Sequence, residues 1–155
     1  MSQKGITFKC FEKEIILTHF AKESLIRYRQ LSSSSPERGG LVFGQILTKD
    51  RAIINLIKEV KPKKAKPRFC LFSKNDENKM IKNEFKKGNH LLGKWHTHYE
   101  KTPEPSAMDI ASMKTYYATS EHNMPFFLML IIGKEGSIYM GGFNDKEYRF
   151  EEILC

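Results

Sequence analysis

Two histidines separated by one residue, His96 and His98, carry the clearest chemistry in this 155-residue sequence. On a β-strand, residues two apart project from one face, with Cα atoms roughly 6.6 Å apart. From there two imidazoles can reach one metal ion at ~2.0–2.1 Å each. Asp109 offers a third donor from the first turn of the helix expected after Ser106, and Pro103 and Pro105 restrict the intervening loop. Two neutral imidazoles and one carboxylate leave a tetrahedral position open, the arrangement of a catalytic zinc site. Zinc brings the pKa of a bound water down to about 7 and polarises a carbonyl. Hydrolysis also needs a base that moves the water's proton to the leaving group. Glu37 is the candidate, because it opens a Glu-Arg-Gly-Gly turn feeding a hydrophobic strand, where glycines let backbones approach closely. Ser106 is the candidate donor to the carbonyl oxygen as it becomes an oxyanion.

Each residue also has a plainer reading. A His-Thr-His strand could be a half-exposed surface pair. Ser106 to Asp109 is a capping box, which accounts for both residues without any metal. Glu37 alone reads as a loop glutamate, and Gly39-Gly40 as an ordinary turn. Cap and metal site are compatible, since a capped helix start holds Asp109 still. It is the combination in one short chain that favours hydrolysis. Trp95 precedes a ligand on the strand, so it should face the opposite way, into the core. His19, His90 and His122 have no ligand partner at readable spacing and are expected to be surface or structural. Cys10, Cys70 and Cys155 are odd in number with no CxxC, so neither a disulfide framework nor a thiolate zinc site is expected. Cys70 as a nucleophile with His96 as base is a weak alternative, since nothing near it would lower its pKa.

The elements that must position these residues follow from periodicity. Short strands are expected over Lys4–Lys9 and Glu14–Leu17, then a helix from Thr18 with Phe20, Ala21, Leu25, Tyr28 and Leu31 on its apolar period. Gly39–Leu47 and Arg51–Val60 read as an antiparallel pair, Lys58–Arg68 as a basic solvated loop bracketed by Pro62 and Pro67, and Arg68–Phe72 as a strand. A helix should run over Ser73–Lys87, with Ser73 or Asn75 at its start, and stop at Gly88, followed by a strand at His90–Thr97 and a helix from Ser106 to about Thr119. Met108, Met113, Tyr116 and Tyr117 fit that last helix's packed side. Strands at Phe126–Ile132, Ser137–Phe143 and Tyr148–Leu154 complete an α/β domain, one domain over residues 1–155, with a mixed, mainly antiparallel sheet and about three helices.

Composition narrows the setting. Hydrophobic residues are 40% and charged residues 28%, as in globular proteins. The longest apolar run, Pro125–Ile132, is far short of the ~20 residues that a membrane helix needs. The polar start has no secretory core, so a cytoplasmic protein is expected. The net charge of +8 gathers in Lys58–Arg68 and Lys79–Lys87. Such surfaces attract acidic partners or nucleic acid, but the aromatic interleaving of a single-strand platform is missing from the basic loop, so nucleic acid is not expected.

His96-Thr97-His98, seven residues, Ser106, two residues, Asp109 resembles the JAMM motif of the JAB/MPN metallopeptidases, and Glu37 stands where that family has its upstream glutamate. The resemblance covers about Thr18 to Phe143. It implies a cytidine-deaminase-like α/β fold, one zinc ion on His96, His98 and Asp109, Glu37 as base and Ser106 as oxyanion donor. Gly93-Lys94-Trp95-His96-Thr97-His98, Glu100, Pro103 and Pro105 look like a bacterial branch that includes the JAB peptidases of CBASS anti-phage operons. That likeness implies an isopeptidase acting on an extended C-terminal tail, of a ubiquitin-like protein or of a conjugated cGAS-like nucleotidyltransferase, and opposing a ubiquitin-ligase-like partner. A peptidase of sulfur-carrier metabolism and a non-catalytic MPN scaffold are the alternatives. Two residues depart from the family's pattern. Tyr99 replaces the usual Pro, so a less stiff loop or a substrate contact is expected there. Arg38 is bulkier than the usual small residue, and is expected to meet an acidic substrate or solvent.

Overall fold

The computed structural model describes residues 5–66 and 69–153, and gives backbone alone for 63–66 and 69–72. Ten strands and three helices follow in the order β1 (Ile6–Cys10), β2 (Lys13–Leu17), α1 (His19–Tyr28), β3 (Gly39–Thr48), β4 (Arg51–Glu59), β5 (Pro62–Lys66), β6 (Phe69–Phe72), α2 (Lys74–Lys86), β7 (His90–Thr97), α3 (Ala107–Thr119), β8 (Phe127–Ile132), β9 (Ile138–Phe143) and β10 (Glu147–Glu152) among the described residues. Local chemistry sets the helix limits. Thr18, Ser73 and Ser106 each cap a helix by accepting from a backbone N–H three residues on. Past the end of α2, Gly88 takes a φ of 88°, which a residue with a Cβ adopts at a cost.

Eight strands close into a barrel in the order β1-β10-β9-β8-β7-β3-β4-β2. The β7/β8 and β2/β4 pairs are parallel and the others antiparallel. The expected mixed, mainly antiparallel sheet with three helices is therefore present. Its closure was not foreseen, because β1 meets β10 across nearly the whole chain.

Alternation along the strands sorts the core. On β8, Leu128, Leu130 and Ile132 point into the barrel with Trp95, Ile54 and Leu25. Phe127, Met129 and Ile131 point outward and are covered by Met113 of α3. Buried on both faces, the strand is apolar throughout. A third cluster, Leu41, Phe43 and Val60, lies against Met80 and Ile81 of α2. Trp95 is 1% exposed, stacks on Tyr28 at 4.9 Å and donates from Nε1 to the Lys58 carbonyl at 3.0 Å. With Trp95 facing inward, its neighbours His96 and Lys94 are turned to the outer face.

Three expectations need correction. Part of the basic segment is a strand: β5 starts at Pro62 and pairs with β6 in a separate two-stranded sheet, and Pro at a strand's first residue removes no ladder bond. Phe20 and Leu31 are exposed, because α1 buries Ala21, Ser24 and Leu25 and ends before Leu31. Met108 is exposed too, since it projects from the side of α3 opposite Ile110. Among the described residues, no helix is long and apolar enough to cross a membrane.

Candidate metal centre

The site forms where β7 ends, β3 begins and α3 starts. His96 and His98 leave the same face of the chain, with ring centroids 4.8 Å apart. The Oδ2 of Asp109 lies 3.2 Å from His96 Nε2 and 3.4 Å from His98 Nε2. The same oxygen accepts from Ser106 N at 2.9 Å, while Ser106 Oγ accepts from Asp109 N at 3.0 Å. The capping box is thus complete, and the residue closing it also meets both histidines. Each of the two readings open in the sequence has its geometry here. Glu37, 8% exposed, places a carboxylate oxygen within 4.8 Å of a nitrogen on each histidine. All five residues singled out in the sequence are brought together.

The positions of these groups have traceable causes. Thr97 is fully buried between the histidines. Its N–H donates to the Arg38 carbonyl and its Oγ1 accepts from Arg38 N, both at 2.9 Å. This extends the β3/β7 ladder past the Gly39↔His96 pair and fixes the backbone next to Glu37. The Arg38 side chain is also held: Nε and Nη2 donate to the two Glu59 oxygens at 2.6 and 2.8 Å, and the guanidinium lies 4.7 Å from the Tyr28 ring centre. It therefore meets an acid of its own chain rather than solvent alone. Gly40 passes so close to Lys58 that a Cβ would sit 1.9 Å from its carbonyl oxygen, the close approach expected of that turn.

After the ligands, Lys134 N donates to the Glu100 carbonyl at 2.9 Å, and Lys134 Nζ lies 4.5 Å from the Tyr99 ring centre. These contacts hold the loop in which Tyr99 stands in place of Pro. Glu100 Oε1 is 3.0 Å from His98 Nδ1, so the ring is oriented from its far side, as outer carboxylates do at metal sites. Further along, Arg149 makes two hydrogen bonds to Glu104, at 2.8 and 2.9 Å, just before the N-cap of α3. Thr97, Glu59, Glu100 and Arg149 were missed as site supports. Glu100 left a signal in the family likeness, and Thr97 as a β-branched polar residue alternating inward between two candidate ligands; Glu59 and Arg149 left none. The remaining histidines are structural or peripheral: His122 Nε2 lies 2.8 Å from the Tyr117 carbonyl, His90 meets Phe85 edge-on, and His19 lies 4.0 Å from Glu23. The side chain of Cys70 falls outside the described residues.

Electrostatics follow from burial and proximity. Desolvation raises the Glu37 carboxyl above its ordinary value, opposed by His96 and His98 and aided by Asp109. Against its own desolvation, hydrogen bonds from His96 and His98 hold Asp109 far below the usual carboxylate range. His98 is also desolvated, yet Asp109, Glu37 and Glu100 raise it. The donor set fits a metal. Two ligands each ~2.0–2.1 Å from a tetrahedral ion stand about 3.3–3.4 Å apart, close to the separations of Asp109 Oδ2 from the two ring nitrogens.

A closed mixed barrel with three helices, and a His-x-His strand facing a capped helix start, defines a JAB-like domain. The profile of prokaryotic homologs of the JAB domain matches residues 22–149, and the chain belongs to that family. It is 29% identical over 135 residues to the CD-NTase/cGAS isopeptidase of Escherichia coli strain TW11681, over 84% of this chain and 83% of the relative. It is 28% identical over 126 residues to the CD-NTase/cGAS isopeptidase of Vibrio cholerae serotype O1 strain ATCC 39315 / El Tor Inaba N16961, over 78% and 76%. The solution structure of protein DSY2949 from Desulfitobacterium hafniense matches with a TM-score of 0.64 at 23% identity, covering 90% of this chain and 91% of that one. This last likeness concerns the fold.

Proposed function

We propose that this protein is a zinc-dependent isopeptidase that releases the C-terminus of a cGAS-like nucleotidyltransferase from the amine to which it is conjugated. The observation that carries the reading is the convergence of Asp109 Oδ2 on both histidine Nε2 atoms, with Glu37 beside them. His96, His98 and Asp109 would hold the ion. When bound, zinc supplies an activated water and polarises the scissile carbonyl.

The chain's own groups do the rest. Asp109 Oδ2, at 3.2 and 3.4 Å from the two ring nitrogens, has the spacing of ligands on one tetrahedral ion, so the ligand role is assigned to Asp109 and the free carboxylate to Glu37. Glu37 takes the proton of the attacking water on a carboxylate oxygen and passes it to the leaving nitrogen. Ser106 Oγ already accepts from Asp109 N, which leaves its O–H to donate to the carbonyl oxygen as charge builds there. An extended tail suits strand addition, and β5–β6, outside the barrel, offers backbone edges for it.

The substrate class rests on the two relatives, both named for CD-NTase/cGAS isopeptidase activity. The test is to load the protein with zinc and offer it a nucleotidyltransferase extended through its C-terminus. A cut at that C-terminus, located by mass spectrometry and abolished by chelation, is expected. A zinc-loaded protein that cleaves this substrate nowhere, but cleaves an extended ubiquitin-like or sulfur-carrier protein, would reassign the substrate.

A further inference from the structure

We infer that the solvent face of α2 docks an acidic surface on the folded body of the conjugate; this rests on the isopeptidase reading and adds to it a second contact, away from the scissile bond. The basic segment Lys79–Lys87 has no part in the proposed chemistry, and α2 shows how its charge is arranged. At 100° per residue, Lys79, Lys82 and Lys86 form one stripe along the helix. Glu77 and Glu84 lie on the opposite side, buried, and both are already used: Glu77 pairs with Lys94 at 3.1 Å and Glu84 with Lys58 at 3.1 Å. The acids of the helix interior thus neutralise cations of the barrel. Among the described residues, Lys79, Lys82 and Lys86 pair with no acid.

Spacings of three and four residues bring these like charges together on the helix surface, an arrangement that destabilises a helix by itself. An anionic surface laid along the stripe would relieve it. The position suits a substrate's body. Glu77, in the first turn, is bonded to Lys94, two residues before His96 on the same strand. With Phe85 near the other end of α2 against His90, the stripe's first lysine lies toward the His96 end of β7 and its last toward the His90 end, on the side of α2 turned away from the barrel. Phe85, 64% exposed, flanks the stripe and offers an apolar contact beside the charges, the mixture found at protein interfaces. Nucleic acid is the poorer fit, because a stacking platform interleaves several aromatics with its cations and the exposed face of α2 has one.

The experiment compares two substrates in kcat/KM: a cGAS-like nucleotidyltransferase conjugated through its C-terminus to an amine, and a peptide of that C-terminus alone joined to the same amine. At low salt, wild-type protein should favour the conjugate by about tenfold. Lys79→Glu/Lys82→Glu/Lys86→Glu should erase that preference through KM and leave peptide cleavage unchanged, which also shows the variant is folded. Added salt should shrink the wild-type preference in the same way. A triple Lys→Gln variant should fall between. Equal kcat/KM for conjugate and peptide in the wild type would overturn the docking surface while the isopeptidase reading stands. So would a preference that the triple variant retains, or duplex DNA binding lost in the variant with the preference intact. Cleavage of neither substrate by zinc-loaded wild type would instead remove the isopeptidase reading, and the docking proposal with it.

Discussion

Thr97 and Arg38 exchange two hydrogen bonds, both at 2.9 Å, between the strand that carries the histidines and the residue that follows Glu37. The pair joins the two sides of the candidate site across 59 residues of sequence. Thr97→Val keeps the shape but removes the acceptor, leaving the Arg38 N–H without a partner. The expected cost is about 1–3 kcal/mol in denaturant unfolding, with a fall in kcat as Glu37 loses its fixed backbone. Thr97→Ser keeps the acceptor and should retain most of both. Equal stability for the Val variant would show that this bond does not set the position of Glu37.

Ser106 has two tasks that one substitution separates by magnitude. As an N-cap it accepts from Asp109 N, and its loss to Ala should cost about 1 kcal/mol of stability. As an oxyanion donor its loss should lower kcat by about 100-fold. A Ser106→Ala protein with the stability loss but undiminished turnover would leave only the cap.

The loop before α3 is braced by Arg149, whose guanidinium grips Glu104 with two bonds and lies 5.4 Å from the Tyr139 ring centre. Exposed ion pairs generally contribute little unless they are bidentate or networked, and this one is both. Arg149→Ala should speed hydrogen exchange at the first turn of α3 in metal-free protein and reduce kcat by about fivefold. The exchanged pair Glu104→Arg/Arg149→Glu should restore both. Unaltered exchange in Arg149→Ala would mean that α3 is positioned without the clamp.

Glu84 gives the fold an acid-sensitive contact. The Asn89 side chain at 2.9 Å, then Lys58 and Lys87, lower its pKa against the desolvation of a nearly buried carboxylate. Because folding lowers this pKa, the contribution is complete above the unfolded value of about 4.3 and disappears as pH falls through the folded value. Thermal unfolding of Glu84→Gln should therefore show a lower Tm than wild type at pH 7, with the difference closing below the unfolded value. A constant difference across the acid range would refute the linkage.

The parts legible in the sequence were those whose physics is local. Strand β7 and the caps of all three helices follow from alternation and from Ser or Thr placed before a periodic run. The candidate site could be read because its spacing is short, two residues between histidines and three within the capping box; Glu37, distant in sequence, came through its Gly-Gly turn and the family likeness. Long-range pairing was not legible. Nothing in β1 indicates that it will meet β10, and no pattern near Arg38 points to Glu59. Apolar periodicity located α1 and α3 but misjudged their edges, since Phe20 and Met108 are apolar and exposed. The basic segment read as a loop because its charge hid a strand of the separate two-stranded sheet.

The most direct test of the account lies in the two carboxylates, which geometry alone would allow to exchange roles, since Glu37 also lies within ligand distance of the histidines. Zinc content and turnover should be measured side by side for Glu37→Gln and Asp109→Asn. Glu37→Gln should bind about one zinc per chain and lose at least about 100-fold in kcat, while Asp109→Asn should lose the metal. A Glu37→Gln protein that fails to hold zinc, or that holds it and turns over normally, would contradict this division of roles.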